Sequence, residues 1–255
     1  MRRFNYELMY ELMAILISVG MVVFVLVSVH GHINIRPAVT TQFPDKIQEV
    51  LPSVVHIMCD QWQGSGVALT DDIVVTARHV IDGTDYTITL NDGTVVKGIQ
   101  AISHKDYDVG FIKIDKPILK PAKFGSIKDC VLGQPIFTIG SPIGNRHFNS
   151  ISSGVISNLK LDLESNGCPK DMGWSLMLMI DAATYGGNSG CPIFTLDGIV
   201  RGILVGGYND YESLSYCIPS DLFLGDIELI KMMFAFNRYS LEDAKPSVEY
   251  TPYCE

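Results

Sequence analysis

Three stretches of this 255-residue chain carry side chains that could act together chemically. YGGNSGCPIF, residues 185–194, sets Ser189 among Gly186, Gly187 and Gly190 between two apolar runs. That much glycine weakens a strand, because it adds backbone entropy and packs nothing. The stretch is either an ordinary polar loop or a tight turn whose N–H groups approach a substrate oxygen. A serine hydroxyl is a poor nucleophile until a base takes its proton. Of the six histidines, His30 and His32 flank a long apolar run and His56 sits inside an apolar strand, whereas His79 follows DIVVTAR. At the end of a strand, its side chain can project into a cleft. A histidine base in turn needs a buried carboxylate to fix its tautomer and stabilise the imidazolium. HKDYDVGFIKID offers Asp106, Asp108 and Asp115, and Asp108 directly precedes the apolar VGFIKI. Asp106 lies further from that strand, and Asp115 closes it on the solvated side. Singly, each residue reads as a turn or surface group. Together they suit acyl transfer.

The elements that must hold them are short and β-rich. SVVHIMC, GSGVALT, IVVTA, YTITL, VVKGIQAI and VGFIKI form one set, with NDGT between two alternating runs as a hairpin signal. A polar, proline-bearing stretch from Asp115 to Pro121 interrupts the pattern. A second set follows: QPIFTIG, SSGVIS, SLMLMI, GCPIF, GIVRGILVGG and SYCIP. Many short strands at regular spacing indicate sandwiches or barrels. The expected fold is all-β, two six-stranded antiparallel barrels over 53–116 and 117–220. A short helix in DKIQEVLP is expected within the connector 37–52. A helix capped by Ser220 or Asp221 is expected over 221–238, followed by a polar tail over 239–255.

At 47% hydrophobic and 18% charged residues the chain is globular in composition, and its formal net charge is −9. No lysine/arginine cluster interleaved with aromatics is present, which argues against nucleic-acid binding. Met13–Val29 is uncharged and would span about 25 Å as a helix, close to a bilayer core. Residues 1–36 therefore read as a cytoplasmic tip and transmembrane signal-anchor, oriented by Arg2 and Arg3. The competing reading is a signal peptide cleaved near Val29–Gly31, giving a secreted protein; Glu7 and Glu11 are unusual for one. The six cysteines include no C-x-x-C pair and no zinc spacing, so no metal or cofactor is expected.

VTARHVI, DYDVGFIKI and GGNSGCPIF, in that order, resemble the chymotrypsin-like serine proteases, specifically the HtrA/Deg family. GSGVALT is similar to the family's strand before the histidine, LGQPIFTIGSPIG to its LGD…AIGNPFG segment and SSGVISN to its TSGIVS. IDAATYGGNSG is similar to TDAAINRGNSG, and SYCIPSDLF to the family's FAIPS strand-to-helix exit. The resemblance runs from about Asp45 to about Phe236. It implies His79 as general base, Asp108 as orienting carboxylate and Ser189 as nucleophile, with the N–H groups of Gly187 and Ser189 as an oxyanion hole. It implies Ala183 as the floor of the specificity pocket, with Leu204, Val205 and Gly206 as its opposite wall. The implied activity is a membrane-anchored endopeptidase that cleaves polypeptides, including unfolded ones, after small or medium aliphatic residues. The departures are Gly186, Cys191 (read as packing) and a tail after Arg238 too short for the family's PDZ domain, which leaves oligomerisation open. A silent chaperone-like module that binds unfolded protein, or an esterase, are the alternatives.

Overall fold

The computed structural model describes residues 9–11, 13–19, 21, 42–144, 147–161, 177–207 and 214–236. They fall into two units, residues 1–42 and 43–255. In the first, Met13–Val19 and Met21 are helical. The rest of the expected membrane-crossing run lies outside the described residues. Among those described, no helix is long and apolar enough to cross a membrane.

The second unit contains both barrels. Strands β1 (Val54–Met58), β2 (Gln63–Ala68), β3 (Ile73–Thr76), β4 (Thr87–Leu90), β5 (Val95–Ser103) and β6 (Gly110–Ile114) close in the order β1-β2-β3-β6-β5-β4. The alternation in TITL does what its period dictates: Ile88 and Leu90 are buried, and Thr87 and Thr89 are partly exposed. Gly93, at φ 85°, turns β4 into β5 and donates to Leu90 O at 2.9 Å.

The second barrel uses β8 (Pro135–Gly140), β9 (Ser150–Leu161), β10 (Met177–Ile180), β11 (Pro192–Thr195), β12 (Ile199–Gly207) and β13 (Ser215–Pro219). β11 pairs with both β8 and β12, which closes a ring of six antiparallel strands. A seventh short strand, β7 (Lys123–Phe124), pairs parallel with β12 outside that ring. Closure satisfies the strand edges that an open sheet would leave unpaired.

Helix α1 (Gln42–Val50) packs Phe43 edge-on against Phe137 of β8 at 5.2 Å, and Phe137 stacks on Phe194 of β11 at 5.1 Å. The helix expected after Ser220 divides into α2 (Asp221–Leu224) and α3 (Ile227–Ala235). Neither expected cap is used as one. Ser220 Oγ donates to Gly125 O at 2.6 Å, and the Asp221 carboxylate accepts from Ser126 Oγ and Ile127 N at 2.6 and 2.7 Å. Between the helices, Asp226 accepts from His104 Nε2 at 3.0 Å. Phe223 of α2 meets Phe111 of β6 and Phe124 of β7, each at 6.3 Å, so this segment packs against both barrels.

Phe137 is fully buried at the centre of an aromatic stack. Phe137→Ala is expected to lower the unfolding free energy by about 3–5 kcal/mol through lost transfer energy and a residual cavity. Denaturant titration checks this, and a loss below about 1 kcal/mol would contradict the packing described.

Candidate active site

His79 lies on a short 3-10 turn, Arg78–Ile81, directly after β3. Tyr86, buried beneath it, reaches Ile81 O at 2.6 Å and Gly83 O at 2.5 Å with its hydroxyl, fixing the far end of the turn. Asp108 ends the loop before β6, and that loop is shaped by His104. Its Nδ1 accepts from the N–H groups of Asp106 and Tyr107, both at 3.2 Å, so the ring proton sits on Nε2 and faces Asp226. The two elements bring His79 onto Asp108. Nδ1 lies 2.9 and 3.2 Å from the two carboxylate oxygens, and the His79 backbone N–H donates to Oδ1 at 3.1 Å. Burial works against ionisation of Asp108, but the attraction and hydrogen bonds of His79, with Arg78 nearby, hold its carboxyl below the ordinary range. Of the other two candidate carboxylates, Asp106 pairs with Lys105, and the Asp115 backbone N–H bonds to Lys97 O.

Ser189 is half-buried on a turn of the second barrel, and the turn is fixed carbonyl by carbonyl. Gly186 O accepts from Ile143 N at 2.8 Å, and Asn188 O from Cys191 N at 2.9 Å. Gly187 O accepts from Ser65 Oγ at 2.8 Å, and Ser189 O from Ser65 N at 2.7 Å. In a trans peptide the N–H points opposite its carbonyl. Two of these peptides are tied at both ends, Asn188 N to Tyr185 O and Gly190 N to Leu204 O. The other two leave the N–H groups of Gly187 and Ser189 without an intramolecular acceptor among the described residues. These are the two donors that the sequence resemblance singles out.

Gly187 and Gly190 have φ of 100° and 83°. A Cβ on Gly187 would meet Ser141 O at 2.5 Å, and one on Gly190 would collide with Thr76 Oγ1 and Ser65 O. The turn thus presses directly on β2 and on the end of β3, three residues before His79. A Cβ at Gly64 would meet both Val80, the neighbour of His79, and Ser189 O.

Of the expected pocket residues, Ala183 is exposed and Gly206 half-buried. Leu204 and Val205 bury their side chains in the barrel cores, so at these positions only the backbone of β12 is available as a wall. Beside Ala183, Thr184 Oγ1 lies 2.8 Å from Ser215 Oγ, a hydroxyl pair the sequence reading missed. Burial pushes the Cys191 thiol up to about 12, consistent with a packing role. Cys59, Cys130, Cys191 and Cys217 are free thiols, and no metal-binding cluster occurs among the described residues. Ser65 and Asp82 were also missed. The signal for Ser65 was its place between the glycines of GSG; Asp82 had none beyond its place three residues after His79.

The family model for a trypsin-like peptidase domain matches residues 64–203. The chain is 35% identical over 164 residues to the "probable periplasmic serine endoprotease DegP-like" of Halomonas elongata, covering 62% of this chain and 33% of that protein. It is 32% identical over 203 residues to the "Protease Do-like 1, chloroplastic" of Arabidopsis thaliana, covering 71% and 45%. The chain therefore spans less than half the length of these relatives. Among solved structures, the HtrA-type protease AlgW with a tripeptide superposes with a TM-score of 0.66 at 21% identity, covering 76% of this chain and 64% of that one. Deg5 superposes at 0.60 and 26% identity, covering 72% and 91%.

Asp82 has a buried Oδ1 with no hydrogen-bond partner among the described residues. Burial pushes its carboxyl up to about 6 from 3.8, against the pull of His79 and with the repulsion of Asp108. A raised carboxyl costs stability while ionised: fully above about pH 6, progressively less toward 3.8, and not at all below. Asp82→Asn is therefore expected to raise the melting temperature near pH 8, with a gain that shrinks as pH falls toward 4. Thermal melts across that range test it; a pH-independent gain would count against ionisation as the cause.

Proposed function

Because this chain belongs to the trypsin-like peptidase family, we propose that it is a serine endopeptidase working through Ser189, His79 and Asp108. The observation that carries this is the His79–Asp108 pair together with a serine turn in which the Gly187 and Ser189 N–H groups have no intramolecular acceptor among the described residues. With Nδ1 engaged by the carboxylate, Nε2 takes the Ser189 proton as Oγ attacks the scissile carbonyl. The Gly187 and Ser189 N–H groups hold the oxyanion, each worth about 3 kcal/mol in the transition state. His79 returns the proton to the departing amine, and water then hydrolyses the acyl-enzyme by the same route. No cofactor or metal enters this scheme.

The substrates are polypeptides, as the similarity to the HtrA/Deg proteases supports. Ala183 at the pocket floor brings no carboxylate to pair with a basic side chain, and stripping the hydration from an unpaired charge is unfavourable. Small or medium aliphatic residues are preferred before the scissile bond. The run Met13–Val29 behind Arg2 and Arg3 supports a single-pass anchor, and the periplasmic relative supports placing the catalytic unit outside the cytoplasm.

A fluorophosphonate is expected to label Ser189 alone, and Ser189→Ala or His79→Ala to lower kcat/KM by about ten-thousand-fold or more, with little further loss in the double variant. Full labelling of His79→Ala would sink the triad. On matched peptides, valine before the scissile bond is expected to outperform arginine, while valine, alanine and leucine differ by only about 1–3 kcal/mol. Faster cleavage of the arginine peptide would refute the pocket and leave the triad standing. Protease added outside intact cells or spheroplasts should digest a membrane-bound catalytic unit; a soluble form beginning near His32 would show cleavage instead.

A further inference from the structure

We propose that Ser65 is a positioning residue whose hydroxyl holds the oxyanion turn in its working shape, so that the first barrel sets the competence of a site carried on the second. The proposal rests on the reading of Gly187 and Ser189 N–H as the oxyanion donors. Ser65 lies in β2 and is 0% exposed. All its polar atoms are committed around the turn. Its Oγ accepts from Ser141 N at 2.9 Å and donates to Gly187 O at 2.8 Å. This direction is forced, since an amide N–H can only donate and a carbonyl can only accept. The Ser65 N–H donates to Ser189 O at 2.7 Å, and its carbonyl accepts from Thr76 Oγ1 at 2.7 Å.

One residue therefore grips the carbonyls on either side of Asn188, and with them the two residues, Gly187 and Ser189, that carry the donor N–H groups. The Ser65 backbone would survive loss of the hydroxyl, but Gly187 O and Ser141 N would not keep their partner. Both residues are buried, where an unpaired polar group is costly. A change in the φ and ψ of Gly187 relieves that cost, because glycine resists it little. Gly187 also carries one of the two donor N–H groups, so a shift of this residue takes its N–H off the oxyanion. The change falls on the state that carries the oxyanion, not on the bound substrate.

The test is Ser65→Ala, assayed with an aliphatic peptide substrate and with the matching peptide aldehyde, whose hemiacetal oxygen occupies the oxyanion position. The expected result is a kcat about 10- to 100-fold lower, KM within about threefold of wild type, and aldehyde affinity weakened in parallel with kcat. Ser65→Cys keeps nearly the same volume with a weaker donor and should move the same way by less. If one variant does not fold, the other decides. Unchanged aldehyde affinity, or a loss confined to KM or melting temperature, overturns the proposal. Wild-type protein that takes no fluorophosphonate on Ser189 would overturn the peptidase reading instead.

Discussion

The backbone carbonyls of residues 186–189 are each held by a donor outside their own peptide, and the geometry of the site depends on that. Two of those donors come from a single buried residue of the opposite barrel, Ser65. A glycine-rich turn left alone would sample many conformations, since glycine has little steric preference. Here the freedom is removed by hydrogen bonds whose loss would strand buried polar groups. The glycines permit the shape and the surrounding carbonyl bonds select it. The same contact fixes how the barrels meet, because Gly190 sits so close to Thr76 and Ser65 that no side chain fits between them.

The electrostatics of the first barrel's half of the site follow from burial. Asp108 is almost fully buried, an unfavourable place for a charge, which direct contact with His79 and the nearby Arg78 offset. Asp82 shows the other outcome within the same neighbourhood. Among the described residues it lacks a hydrogen bond on its buried oxygen, and its carboxyl moves up instead of down. Two carboxyls near one histidine are thereby driven in opposite directions.

Support for this pair comes from outside the barrels. His104 both shapes the loop that presents Asp108 and anchors on Asp226 between the two closing helices. Phe223 packs against β6 and β7 at once. Arg201, buried in β12, reaches Ser126 O at 2.8 Å and Asp129 at 3.2 Å, tying the crossing segment between the barrels to the second one. The chain after β13 thus braces the first barrel, which holds the histidine and aspartate, against the second, which holds the serine.

The sequence by itself determined the strands, because alternation such as TITL and the glycine in NDGT act within a few residues of themselves. It offered His79 and Ser189 with three aspartates, Asp106, Asp108 and Asp115, and the ordered resemblance marked Asp108 among them. Only the tertiary structure decided which carboxylate meets the histidine, because Asp106 and Asp108 differ by two residues in sequence and His104 sets which one faces inward. It likewise decided that Leu204 and Val205 turn into the cores, that the last helix breaks at Asp226, and that β7 joins outside the ring. Ser65 stood out in the sequence only by its place between two glycines, and its partners were hidden for the same physical reason. A hydrogen bond across 122 positions leaves no local period or propensity in the chain, and it exists only once two closed barrels bring those residues together.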